Sequence, residues 1–267
     1  MQEQGIVLLF TLIMIVIVSI ITMSLLSIVA KENITAVYYQ QKLENEYLIQ
    51  AATATAKQRI KEKLATNEQW RTCGLKGINC FGSLRYNNLL DSKKIKVDYR
   101  VKEISDEQGK ANVNYLSVSQ LRQLPGVGTK LSTKIKQYSS KKHFIAKEEI
   151  KNLKGVGARK YQKLVSLITV ETTGKINLNT ASYQVLKLLK DVGPFTAAKI
   201  ITYRQTNGPF KLREELKSVK GIGPSTYQNL VDEITVESNL FTIVLEVSIP
   251  KRDVKTKVRE LIKLSRG

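Results

Sequence analysis

The middle of this chain is written twice. Gly109-Lys110-Ala111-Asn112-Val113-Asn114 returns 65 residues later as Gly174-Lys175-Ile176-Asn177-Leu178-Asn179. The stretch from Glu148 to Gly157 returns 66 residues later as Glu214 to Gly223, and Ile168-Thr169-Val170-Glu171 returns at the same spacing as Ile234-Thr235-Val236-Glu237. A duplication constrains a fold more tightly than composition does, because whatever packs one copy must also pack the other. The region therefore reads as two equivalent modules, 116–173 and 174–239.

Within each copy a smaller unit occurs twice. The four versions are Leu124-Pro125-Gly126-Val127-Gly128, Leu153-Lys154-Gly155-Val156-Gly157, Leu189-Lys190-Asp191-Val192-Gly193 and Val219-Lys220-Gly221-Ile222-Gly223. Each sits between segments of helical pattern. The apolar residue is expected to bury in a helix pair, and the final glycine to supply a positive φ or a close backbone approach. These units resemble the helix-hairpin-helix motif, which serves either as a DNA clamp or as plain scaffold. On the clamp reading, Gly126, Gly128, Gly155, Gly157, Gly193, Gly221 and Gly223 form turns whose N–H groups face a phosphate, with nearby lysines adding charge. Residues 116–173 hold 12 basic and 3 acidic side chains, while 174–239 hold 9 and 6. The chain as a whole carries a formal charge of +20, so a solvated lysine-rich surface is the competing reading.

The amino end imposes a second constraint. No charge occurs from Ile6 to Ala30, a length that crosses a hydrocarbon core of about 30 Å as a helix. The run is too long for an ordinary signal peptide. From Lys31 to Leu64 there is neither Pro nor Gly, and Leu48, Ala52, Ala56, Ile60 and Leu64 recur at helical spacing. A membrane helix (6–30) thus continues into an amphipathic stem (31–66). The five-residue polar leader Met1-Gln2-Glu3-Gln4-Gly5 resembles the leader of type IV pilins and type II secretion pseudopilins, which is cut after the glycine; a plain signal anchor is the alternative.

The segment Asn67 to Asp91 reads as irregular and holds Cys73 and Cys80. Outside the cytoplasm these two would form a disulfide; in a reducing compartment they would be free thiols. Lys96 to Ile104 alternates with period two and reads as a strand, as does the β-branched run Phe241–Ile249. Val254–Leu264 is a third strand or a terminal helix. Residues 67–115 and 240–267 then make one sheet domain with the duplicated region inserted in it, an α+β architecture.

This order is similar to the minor pseudopilin K family of type II secretion systems, over essentially the whole chain: leader ending in Gly5, membrane helix, stem, strand, Asp106-Glu107-Gln108-Gly109-Lys110, helical insertion with Gly174-Lys175-Ile176-Asn177-Leu178-Asn179-Thr180-Ala181, closing strands. The resemblance implies cleavage by a prepilin peptidase between Gly5 and Ile6 and N-methylation of Ile6. It implies a single pass through the inner membrane with the bulk of the chain in the periplasm. It also implies other minor pseudopilins as partners, with this subunit capping the pseudopilus tip and initiating its assembly. Most pilin relatives carry Glu where this chain has Phe10, and pseudopilin K is the member that usually lacks it. Calcium occurs in some relatives, but no dense carboxylate cluster here supports transferring it, and no cofactor is expected. The competing classes are a membrane-anchored DNA receptor of the competence type and a minor pilin of a type IV pilus. An enzyme is not expected: the single histidine, His143, lies among lysines without a relay partner, and no phosphate-binding glycine loop follows a strand.

Overall fold

The computed structural model describes residues 2–66, 81–87 and 94–264. In chain order the elements are α1 (Gln2–Thr66), β1 (Phe81–Asn87), β2 (Lys94–Asp106), β3 (Ala111–Asn112), α2 (Val118–Arg122), α3 (Thr129–Lys141), α4 (Ala158–Val165), β4 (Ile168–Thr169), β5 (Ile176–Asn177), α5 (Tyr183–Leu186), α6 (Pro194–Thr206), α7 (Pro224–Leu230), β6 (Ile234–Thr235), β7 (Leu240–Ile249) and β8 (Val254–Lys263). Short 3-10 turns at Lys147–Asn152 and Arg213–Ser218 complete the two modules.

Helix α1 runs 65 residues without a break. It is long and apolar enough to cross a membrane, and the apolar window has no buried residue. The lower half behaves differently. Leu48, Ala52, Ala56, Ile60 and Leu64 are buried against Val97, Tyr99, Ile243, Leu245 and Val247 of the sheet. A spacing of four precesses by about 40° per step on a 3.6-residue helix, so the stripe winds around the helix in a way that suits a twisted sheet. Two alanines in the stripe let the helix axis approach the strands closely. Arg252, in the β7–β8 turn, ties the sheet back to the helix through Glu44 and Asn45, both at 2.6 Å.

The sheet has the order β1-β2-β7-β8 and is antiparallel throughout. Asp106 of β2 pairs with Phe241 of β7, so the insertion leaves and re-enters at adjacent strand ends. Two sequence expectations need correction, and one open alternative is resolved. Phe81–Asn87 lies within the stretch expected to be irregular, yet it forms β1; its glycine and asparagine hide the strand, and pairing with β2 supplies what local pattern does not. Val254–Lys263, open between a third strand and a terminal helix in the sequence, is the strand, its period-two pattern satisfied on β7. The sheet portion ends at Asp106, not at residue 115. Ala111 and Val113 belong to the helical core, and β3 pairs in parallel with β4 as β5 does with β6. Cys73 and Cys80 lie outside the described residues.

The two halves meet at consecutive side chains. Asp106 Oδ2 accepts from Ser238 Oγ, Thr180 Oγ1 and Asn177 Nδ2, and Oδ1 accepts from the Gln108 N–H. Glu107, fully buried, accepts from Lys110 Nζ at 2.7 Å, Thr242 Oγ1 at 2.8 Å and Thr169 Oγ1 at 2.6 Å, with Lys147 Nζ at 3.6 Å. Gln108 accepts the Asn177 N–H on its carbonyl and the Asn239 N–H on its side chain. Three residues therefore bond both modules and the sheet. Burial pushes the Asp106 carboxyl above its ordinary range, opposed by the hydroxyl, backbone and amide donors. Burial pushes Glu107 the same way, but the Lys110 charge and hydrogen bond, the Thr169 hydroxyl and Lys147 together bring it below the ordinary range.

The sign for Glu107 follows. Its pKa is lower folded than unfolded, so its contribution is present above the ordinary glutamate range, about pH 4.3, and is lost as pH falls. Glu107→Gln leaves Lys110 and Lys147 without their counter-charge and should cost about 3–5 kcal/mol at pH 7. Urea unfolding should show the gap between native and variant narrowing towards pH 3.5; a gap independent of pH would contradict the assignment.

Candidate functional site

The four hairpins were expected to use their final glycine for a positive φ or for a close backbone approach, and the structure places the positive φ elsewhere. Gly126, Gly155 and Gly221 have φ of 75°, 107° and 105°, and Asp191 occupies the corresponding position at 59°. Aspartate is among the few residues that tolerate the left-handed region, and Asn229 Nδ2 bonds its carboxylate at 2.8 Å. The final glycines, Gly128, Gly157, Gly193 and Gly223, are extended N-caps of α3, α4, α6 and α7. A Cβ at any of them would meet nothing within 4 Å. Packing therefore does not demand glycine there; an open approach to the helix N–H groups is what the absent side chain leaves. The intervening Val127, Val156, Val192 and Ile222 are buried, as expected.

Each module is held by the same set of contacts. Asn114 exchanges two hydrogen bonds with the Phe144 backbone, and Asn179 does so with Phe210. Tyr138 stacks on Phe144 with centroids 4.3 Å apart, and Tyr203 on Phe210 at 4.9 Å. Tyr161 donates to Glu148 beneath Lys151, and Tyr227 to Glu214 beneath Lys217. Glu149 in the first module accepts from Tyr138 and from the Ala146 and Ile145 N–H groups, which hold it below the ordinary carboxylate range.

The charged surfaces differ between the copies. Lys130, Lys134, Lys141, Lys142, Arg159 and Lys163 of the first module are exposed. Lys160 Nζ turns onto the Gly155 carbonyl at 2.8 Å, beside the second hairpin. In the second module the exposed residue after Gly193-Pro194 is Phe195, 85% accessible, where the first module has Lys130. His143 lies edge-on to Tyr115, 5.9 Å between ring centroids.

At the amino end, Gly5 lies within the helix, while Ile6 and Phe10 are 61% and 67% exposed on its bare apolar portion. The residues that sequence reading missed are the junction carboxylates. Asp106-Glu107-Gln108 was legible only as a polar cluster preceding the duplicated glycine, with nothing local to mark it as buried.

Comparison with known proteins bears on both halves. The family model for the helix-hairpin-helix motif matches residues 106–169 and 171–235. ComE operon protein 1 of Bacillus subtilis is 39% identical over 62 residues, covering 23% of this chain and 30% of that protein. Endonuclease/exonuclease/phosphatase family domain-containing protein 1 of Xenopus laevis is 26% identical over 170 residues, covering 55% of this chain and 31% of the relative. The chain thus spans about a third of the length of these curated relatives. One chain of the crystal structure of the GspK-GspI-GspJ complex from the enterotoxigenic Escherichia coli type 2 secretion system superposes with a TM-score of 0.58 at 12% identity, covering 85% of this chain and 95% of that one. At that identity the likeness is one of fold. It is an α+β, pseudopilin-like fold with an apolar amino-terminal helix, a small sheet, and tandem helix-hairpin-helix modules inserted between adjacent strands.

Proposed function

We propose that this protein is a minor pseudopilin-like subunit of a type II secretion system, anchored by the upper half of α1 and placed at the tip of a short periplasmic filament. The observation that carries this reading is the unbroken α1, bare and apolar above and packed on the sheet below. Such a helix offers its exposed face to the helices of neighbouring subunits. The likeness to a chain of a secretion-system complex supports the same reading and suggests other minor pseudopilins as partners. Its role is then structural rather than enzymatic. Phe10 carries no charge with which to neutralise the amino terminus of a subunit stacked above, and a buried ammonium without a counter-charge costs several kcal/mol. The insertion adds bulk that opposes further stacking.

The test is the mass of the native amino terminus. Cleavage after Gly5 with methylated Ile6 is expected in cells that possess a prepilin peptidase, and Gly5→Leu should leave the chain uncut. A mature protein retaining Met1 would overturn the reading. Phe10→Glu should leave tip assembly nearly unchanged, and purified filaments should hold this subunit at low stoichiometry.

Oxidation is a second consequence of an exported chain. Cys73 and Cys80 should resist alkylation unless reduced, their bridge contributing about 2–3 kcal/mol. Two freely alkylated thiols would contradict the exported topology.

A second reading, a membrane-anchored DNA receptor, is favoured by one observation: the N-cap glycines are open where a phosphate would approach, beside an excess of lysine. The similarity to ComE operon protein 1 adds to it. If the insertion is scaffold, duplex DNA should bind the purified protein weakly and with steep salt dependence, insensitive to the hairpins. Binding that survives physiological salt and collapses on Gly128→Glu with Gly157→Glu would favour the receptor.

A further inference from the structure

The duplication supplies a template for a docking site. In the first module, the face formed by the Lys147 turn and β4 receives the sheet domain. Glu107 seats its carboxylate on Thr169 Oγ1 at 2.6 Å with Lys147 Nζ at 3.6 Å. Arg259 of β8 approaches Glu148 of the same turn at 3.9 Å. The equivalent residues of the second module, 66 positions on, are Arg213, Glu214 and Thr235. There they line an open cleft of about 620 Å³, bounded also by Lys211, Glu237 and Asn239. Thr169 is fully buried under the sheet and donates its hydroxyl to Glu107, whereas Thr235 is half-buried and donates to the Glu237 carbonyl at 3.1 Å. The same frame is occupied in one copy and open in the other.

Substitutions between the copies follow that difference. Ala146, beside the first face, is replaced by Leu212, which is 61% exposed at the rim of the cleft. Ile145 is replaced by Lys211, which adds a second cation. Arg213 donates one N–H to the Val231 carbonyl at 3.0 Å, and a guanidinium has further donors in a fork suited to a carboxylate. The mixed signs of the cleft are inherited: the first face also pairs a cation that meets Glu107 with an acid that meets Arg259.

We propose that this cleft docks a second, pilin-like protein through a carboxylate side chain at a strand end, seated on Arg213 and on Thr235, whose hydroxyl turns from the Glu237 carbonyl to the incoming acid, as Glu107 is seated on Lys147 and Thr169, with a basic residue of the partner near Glu214. Leu212 adds the apolar contact at the rim. The partner's character as an assembly subunit rests on the proposed function; the chemistry of the anchor rests on the duplicate alone.

The experiment places a photoreactive phenylalanine at position 212 of the full chain in its native cells and maps the cross-linked residue by mass spectrometry. Position 145, also exposed at 71%, serves as the control. A cross-link next to an Asp or Glu of a pilin-like protein is expected at 212 and not at 145. Lys211→Glu and Arg213→Glu should each lower its yield about tenfold, the factor that 1.4 kcal/mol represents. Reversing the partner's acid to Arg should restore the yield with Arg213→Glu. Lys211 is the variant that leaves the fold intact, since among the described residues only its backbone N–H is bonded, to Glu215. No cross-link, a cross-link to nucleic acid, one remote from any carboxylate, or a yield indifferent to both charge reversals would each overturn the proposal. A chain cut after Gly5 but silent at 212 would sink the cleft alone; a cross-link from an uncut chain would sink the filament reading alone.

Discussion

Two adjacent carboxylates, Asp106 and Glu107, hold this protein in one piece. They leave β2 at the point where the chain departs into the helical modules, and every oxygen is engaged: Asp106 by the second module and by the Gln108 N–H, Glu107 by the first module and by Thr242 of β7. Burying charge is costly unless the surroundings are arranged for it in advance. Here the donors come from segments far apart in sequence, so the network is complete only when sheet and both modules are in place. That makes the junction a check on correct assembly as much as a source of stability.

Much of the architecture was legible in the sequence because duplication and periodicity are local signals. The four hairpins, the stem stripe from Leu48 to Leu64, and the strands at Lys96 and Phe241 were all readable from spacing. What escaped was decided by distant partners. β1 contains Gly82 and Asn87, so only its pairing with β2 makes it a strand. The sheet boundary was read too late because Gly109–Asn114 was not assigned to the module it opens, although its repeat at Gly174–Asn179 was. For the hairpins, the pattern Gly-x-Gly gave no means of knowing which glycine takes the strained conformation. The third copy, with Asp191 in place of the first glycine, carried that information, since an aspartate can substitute where φ is positive and the final glycine never varies.

The copies have kept their interiors and diverged at their surfaces. The asparagine locks, the stacked aromatic pairs and the tyrosine-glutamate bonds recur in both. Net charge, by contrast, falls from +9 to +3, and Lys130 gives way to Phe195. Divergence of this kind separates what folding requires from what each face contacts. The Lys147 face of the first module is committed to the sheet, whereas the equivalent Arg213 face of the second lines an open cleft, although Asn177, Thr180 and Ser238 of that module still bind Asp106.

The strand ends flanking the insertion have a consequence for how the chain folds. Asp106 and Phe241 are paired neighbours, yet the polypeptide between them is long, and joining distant segments by a flexible loop grows costlier with length. Within each module the helical segments pack on their neighbours in sequence, and such local contacts form readily. Once folded, they present the ends of β2 and β7 side by side, so the central pairing of the sheet closes across a structured bridge instead of a coil. The insertion thereby works as a clasp for the sheet that carries it. A short hairpin turn joining residues 106 and 241 would span the same gap and keep the strand order, but it would supply none of the donors that the modules bring to Asp106 and Glu107.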